Sequence, residues 1–237
     1  MTRPALAEVR GLAKRYGRTR ALDGASFSVP RGAVLGLIGP NGSGKTTLFE
    51  CLAGLVPADA GVVLSGGAAV PPAARKELLF YVPDGISPWP DQRVGWLLGF
   101  FARLYGAAAG ARARVEAELG LGELLGARVG ELSKGQRKRV LLALGLLSPR
   151  PLLLLDEPFD GLDLRQTRDV ATVLRRHAGG GRTLFLSIHQ LADAARVCDR
   201  LVLLSAGRVA GEGTLDELRE RAGLAGAGLE EVFLALT

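Results

Sequence analysis

The run AVLGLIGPNGSGKTTLFECLAGL, from Ala33 to Leu55, decides how the chain folds. It opens with a short, unbroken apolar stretch, which reads as a buried strand. It closes with KTTLFECLAGL, which has helical character. Between them, GPNGSGKTT (Gly39 to Thr47) fits G-x-x-x-x-G-K-[ST], and the strand-to-helix context lends that pattern its weight. Gly39, Gly42 and Gly44, with Pro40, Asn41 and Ser43 between them, form a loop whose backbone N–H groups can turn inward around a phosphate. The helix start adds its positive end. Lys45 is then placed to reach the β- and γ-phosphates, and the Thr46 hydroxyl, next to Thr47, to ligate Mg²⁺. By itself this motif says only that a nucleotide is bound.

Around that unit the chain has 237 residues, enough for one large domain or a domain with a subdomain. Hydrophobic residues make up 48% and charged residues 23%, an ordinary globular balance. The net charge of +6 has two readings, an anionic ligand, lipid or nucleic acid, or an arginine-rich surface and no more. Cys51 and Cys198 lie far apart in apolar surroundings and read as reduced core thiols. No signal-peptide pattern opens the sequence, which predicts a cytoplasmic protein. VLLALGLL and LLLL are split by SPRP and fall well short of the roughly 18 residues of a membrane span. Any membrane role is therefore expected to be peripheral.

Outward from the phosphate loop, LAEVRGLAKRYG to ASFSVPRG alternates polar and apolar residues and predicts antiparallel strands. GVVLSG and LLFYV predict two more strands, and VGWLLGFFARLYG, ARVEAELGL and GQRKRVLLALGLL predict helices. PLLLLDEP, RTLFLSIH and DRLVLLS then alternate with helical segments, the pattern of a mainly parallel sheet covered on both faces. The expected division is an α/β nucleotide-binding core of residues 1–83 and 149–220, a helical insert of 84–148, and a short tail of 221–237. Just before the tail, Thr214 and Glu217 suit a capping box. LLLLDEP, residues 152–158, ends a strand in two acids at the carboxyl edge of the sheet, where such sheets hold ligands. Asp156 can hold Mg²⁺ directly or through water, and Glu157 can act as general base toward water.

Five ordered motifs together resemble the ATPase family of ABC transporters, from about residue 5 to the end. LSKGQ (Leu132 to Gln136) resembles the signature usually written LSGGQ, GLD (Gly161 to Asp163) resembles the D-loop, and His189 in LSIHQ resembles the switch histidine. The resemblance implies a P-loop NTPase, RecA-like core with an N-terminal antiparallel β-subdomain and an inserted α-helical subdomain. It implies ATP with Mg²⁺, Tyr16 stacked on adenine, and Asp163 near the nucleotide. It further implies that Ser133, Gly135 and Gln136 meet the γ-phosphate held by a second copy, with two chains sandwiching two ATP molecules head to tail. A neutral His189 would bond the γ-phosphate and orient Glu157 or the water. His177 lacks such a context and reads as a solvated helix-end residue. Lys134 replaces a small residue of the signature and either meets phosphate or points to solvent, with solvent favoured. Leu164 follows Asp163 where the family often has Pro.

FFARLYG, HQLADAARVCDRLVLLSAGRV and LEEVFLALT resemble ATPase subunits of bacterial ABC-2-type exporters. That implies a homodimer on separate membrane permease subunits at the cytoplasmic face, with the basic surface near anionic lipid and no nucleic acid expected. The alternative is an ABC ATPase that remodels proteins or acts on nucleic acid without a permease. In YVPDGISPWPDQ, Tyr81 to Gln92, Asp84 falls where the family's Q-loop glutamine touches Mg²⁺ and the attacking water. Asp84 is thus either a metal ligand, a hard oxygen donor shorter than glutamine by one methylene, or a cap on the following turn. Gly85 to Gln92 would hinge the helical insert and receive the permease, with Trp89 either exposed for that contact or packed beneath the loop.

Overall fold

The computed structural model describes residues 4–237; residues 1–3 of the predicted core lie outside the described residues. Among the described residues, ten strands and nine α-helices build the α/β architecture expected from sequence. β1 (Ala5–Tyr16) and β2 (Thr19–Pro30) pair antiparallel, and β3 (Val34–Ile38) leads through the phosphate loop into α1 (Lys45–Ala53). β4 (Ala60–Ser65) and the two-residue β5 (Ala68–Ala69) complete a four-stranded sheet in the order β2-β1-β4-β5. A single turn, α2 (Arg75–Leu78), precedes β6 (Leu79–Val82). The insert contains α3 (Val94–Leu104), α4 (Ala111–Glu118) and α5 (Lys134–Leu147). Then follow β7 (Leu152–Asp156), α6 (Leu164–Gly179), β8 (Thr183–Ile188), α7 (Leu191–Val197) and β9 (Arg200–Ser205). β10 (Arg208–Gly213), α8 (Leu215–Ala222) and α9 (Leu229–Leu236) end the chain. The capping box expected at Thr214 and Glu217 is present.

The second sheet runs β10-β9-β3-β8-β7-β6 and is parallel except for β10. Its central strands are apolar on both faces because both faces are covered. Leu152, Leu154 and Phe185 point into one core, with Phe49 of α1 and residues of the antiparallel sheet. Leu153, Leu155, Leu184 and Leu186 point into the other, with α5, α6 and the insert. β10 was missed from sequence: RVAGEG is polar and glycine-rich, and it forms only because an edge strand needs one buried face. Both cysteines are free, as expected; Cys51 is fully buried, and Cys198 packs its sulfur under β3, where a Cβ on Gly36 would lie 2.7 Å from it. Burial raises the pKa of both thiols.

Arg182 and Glu118 are among the side chains that tie the insert to the core. Arg182 donates to the carbonyls of Gly145, Leu146, Ser148 and Arg150, so a cation closes the C-terminus of α5. Burial lowers its pKa to about 10. Glu118, at the end of α4, accepts from Arg176 at 3.1 Å and pairs with His177 Nε2 at 2.9 Å. His177 is therefore not the solvated residue expected, because the acid on α4 draws its ring inward to 20% exposure. Burial by itself would raise the pKa of Glu118, but hydrogen bonds and charge from His177 and Arg176 outweigh it and hold the group below its ordinary 4.5. A depressed carboxylate stabilises the fold above its unfolded pKa and loses that contribution as pH falls through the folded value. Glu118→Gln should thus be less stable than wild type at pH 7. Urea titrations at descending pH should show the gap closing below pH 4.5.

Candidate active site

Four adjacent parallel strands deliver the site, because their registers stop them at one level. Ile38 pairs with Ile188, Asp156 with Ser187, and Val82 with Leu155. Beyond those ends lie the phosphate loop, His189, Glu157 and Asp84. A cleft of about 360 Å³ opens there, lined by Asn41, Gly42, Gly44, Lys45, Thr46 and Thr47 together with Asp84, Asp156 and Glu157. Thr19, Arg20 and Ala21 of β2 close its other wall.

The loop needs its glycines for two reasons. Gly44 has φ 104°, and a Cβ there would meet the Ala21 carbonyl at 2.3 Å; at Gly39 a Cβ would meet the Leu204 carbonyl at 2.3 Å. Lys45 is nearly buried and folds back over the loop, donating to the Gly39 carbonyl at 2.7 Å and the Pro40 carbonyl at 3.3 Å. The first N–H groups of α1 have no intrahelical acceptor, by the geometry of any helix start. Ser43 Oγ is buried and without a hydrogen-bond partner. Free N–H groups at a helix start that opens on the cleft, with the orphaned Ser43 hydroxyl inside the same loop, fit a phosphate chain.

Asp156 is 4% exposed, and three hydroxyls surround it. Ser187 Oγ donates to Oδ1 at 2.5 Å, and Thr46 Oγ1 and the Tyr81 hydroxyl donate to Oδ2 at 3.1 and 3.3 Å. Burial, and then Asp156 itself, push the Tyr81 phenol well above its ordinary pKa, so it stays a donor. Ser187 also accepts the N–H of Glu157 at 2.9 Å, and Glu157 turns through a left-handed φ of 48°. Such a backbone costs a non-glycine residue about 1–2 kcal/mol and aims the acid off the strand line. Its Oε2 meets His189 Nδ1 at 2.6 Å. Thr46 and Asp156 supply hard oxygens of the kind Mg²⁺ takes. Among the described residues no group of three or more His, Cys, Asp and Glu side chains is placed to hold a metal ion, so such an ion would need oxygens from phosphate and water.

The other predicted residues lie outside the cleft lining. Tyr16 is 47% exposed with Lys14 Nζ 5.3 Å from its ring centre, across the turn from Thr19. Ser133 caps α5: its hydroxyl accepts from the Gln136 N–H, and Gln136 Oε1 accepts from the Ser133 N–H. Gly135 packs against the Gly161 carbonyl, and Asp163 caps α6 by accepting from the Gln166 N–H at 2.8 Å. Lys134 is 60% exposed, on the solvent side as favoured, and pairs there with Asp160 at 2.5 Å. Asp84 engages Lys138 at 2.6 Å rather than capping its turn. Trp89 is both 49% exposed and edge-on to Phe100 and Phe101, which joins the two readings of that loop.

Residues 22–160 match the family described as ABC transporter. The chain belongs to that family. As a member it is an ATP-binding, ATP-hydrolysing domain. It is 38% identical over 90% of its length to 72% of the Nod factor export ATP-binding protein I of Burkholderia orbicola. It is 39% identical over 91% of its length to 70% of the daunorubicin resistance ATP-binding protein DrrA3 of Streptomyces coeruleorubidus. A solved ATP-binding subunit of an ABC transporter superposes with a TM-score of 0.88 at 32% identity, over 98% of this ABC ATPase and 99% of that chain. No helix of the described residues is long and apolar enough to cross a membrane.

Ser187, Tyr81, Lys138 and Asp160 were missed from sequence. Ser187 was findable, since the parallel register sets LSIH beside LLLLDE. Ser187→Ala should strand both an Asp156 oxygen and the Glu157 N–H, at about 1–3 kcal/mol. Denaturant melts should register that loss, and kcat should fall with it.

Proposed function

We propose that this ABC ATPase powers an export complex, working as two copies that close on two ATP molecules and drive a separate membrane permease. What carries the reading is that Ser133, Gly135 and Gln136 lie outside the cleft of their own phosphate loop. A second copy, turned head to tail, would bring that helix start onto the γ-phosphate. Export is supported by two relatives matched over most of their length, one a Nod factor export ATP-binding protein and one a daunorubicin resistance ATP-binding protein.

In this reading Asn41 to Thr47 wrap the phosphates, Lys45 exchanges its loop carbonyls for phosphate oxygens, and Tyr16 stacks on adenine. Thr46 and Asp156 would hold Mg²⁺, and Asp84, with one oxygen on Lys138, has the other left for the metal or its water. Bound there, Mg²⁺ would supply positive charge against the phosphoryl oxygens. Glu157 takes the proton of the attacking water, and His189 holds that carboxylate in line through the 2.6 Å contact. Asp163 fixes the start of α6 beside the partner copy.

The permease would sit on the exposed aromatic face of the insert, where Trp89 meets the stacked pair Trp96 and Phe100. In this reading the protein works at the cytoplasmic face of the membrane, held through its partner. Purification with the native partner tests this: an active dimer that never brings down an integral membrane protein would favour work without a permease.

Glu157→Gln should lower kcat at least about a hundredfold while ATP still binds and traps a dimer. Turnover at the wild-type rate would remove the general base from Glu157. Lys45→Ala should weaken ATP binding itself, by about tenfold or more in a titration with a fluorescent analogue.

A further inference from the structure

Lys138 lies in the second turn of α5, and its side chain is only 4% exposed. Its ammonium donates to Asp84 Oδ1 at 2.6 Å and lies 3.4 Å from the backbone carbonyl of Asp156. Asp84 is the more accessible partner, its side chain 37% exposed. An ammonium so far from water requires a counter-charge, and Asp84 is the acid that supplies it.

We infer that Lys138 is a positioning residue: with Asp84 it forms a neutral couple in the place of an uncharged glutamine, and so ties the signature helix to the hydrolytic edge. Two observations favour this over an incidental ion pair. A bare carboxylate at residue 84 would add a third negative charge to a cleft already lined by Asp156 and Glu157, and like charges so close disfavour one another. The ammonium cancels that addition, so the couple matches an amide in net charge while keeping an oxygen free. In addition, one helical turn earlier on the same helix, Lys134 pairs with Asp160 of the loop after β7. The start of α5 is thus clipped to two segments that flank the cleft, and Lys138 is the clip that reaches its interior.

The inference rests on the proposed seat of phosphate and metal in this cleft, and the experiment separates the two. Wild type, Asp84→Gln, Lys138→Met, Lys138→Arg and the double variant Asp84→Gln/Lys138→Met are compared as full chains. Without nucleotide, Asp84→Gln should melt earliest because it strands a buried ammonium, and the double variant should regain most of that loss. With Mg-ATP, Lys138→Met should lower kcat about tenfold and shift the Mg²⁺ concentration for half-maximal rate. Its affinity for a fluorescent ATP analogue should stay within about twofold of wild type. Lys138→Arg should recover kcat. Strictly additive effects in both melting and kcat would overturn the inference. So would coupling in the melts alone with an unmoved Mg²⁺ dependence, which would leave a purely structural ion pair. If Asp156→Asn leaves the Mg²⁺ dependence unchanged, it is the metal seat that fails, while the nucleotide-free melts still judge the couple.

Discussion

A carboxyl group removed from water at the end of an all-leucine strand must find hydrogen-bond donors, and Asp156 finds them on three different elements. Ser187 comes from β8, Thr46 from the start of α1 and Tyr81 from β6. Each of those elements carries a functional neighbour with it: His189 beyond Ser187, the phosphate loop before Thr46, Asp84 beyond Tyr81. Satisfying one buried acid therefore fixes the mutual placement of the groups to which the proposed chemistry is assigned. The leucines before it serve the same end, since their alternation into two cores holds the strand level from both sides.

Much of this was legible in the residues. Continuous apolar runs announced the parallel strands, and glycines at 39, 42 and 44 announced the turn, because few other sequences can make it. The order of loop, signature, acid pair and histidine then pointed to the family. What stayed hidden depends on pairing between distant segments. β10 carries too little apolar character to be read alone. His177 faces Glu118 across two helices that no local pattern relates. Nothing in the sequence singles out Lys138, and Lys134 reads only as a departure from the signature, yet each answers an acid elsewhere in the chain.

The insert is joined to the core by charge more than its apolar sequence suggests. Arg182 closes one end of α5, two lysines clip the other, and Glu118 secures α4. Polar ties of this kind can exchange partners, whereas a packed core shifts only between discrete arrangements.

The two thiols, one buried and one half-buried, have a practical consequence. Cys51 is sealed in a core and the Cys198 sulfur sits against the backbone at Gly36, and both thiols resist forming the thiolate that reacts. Both are therefore expected to react more slowly with maleimides than an exposed cysteine would. A single cysteine placed on the aromatic face or beside Ser133 would carry a spectroscopic label without first stripping the protein of its own.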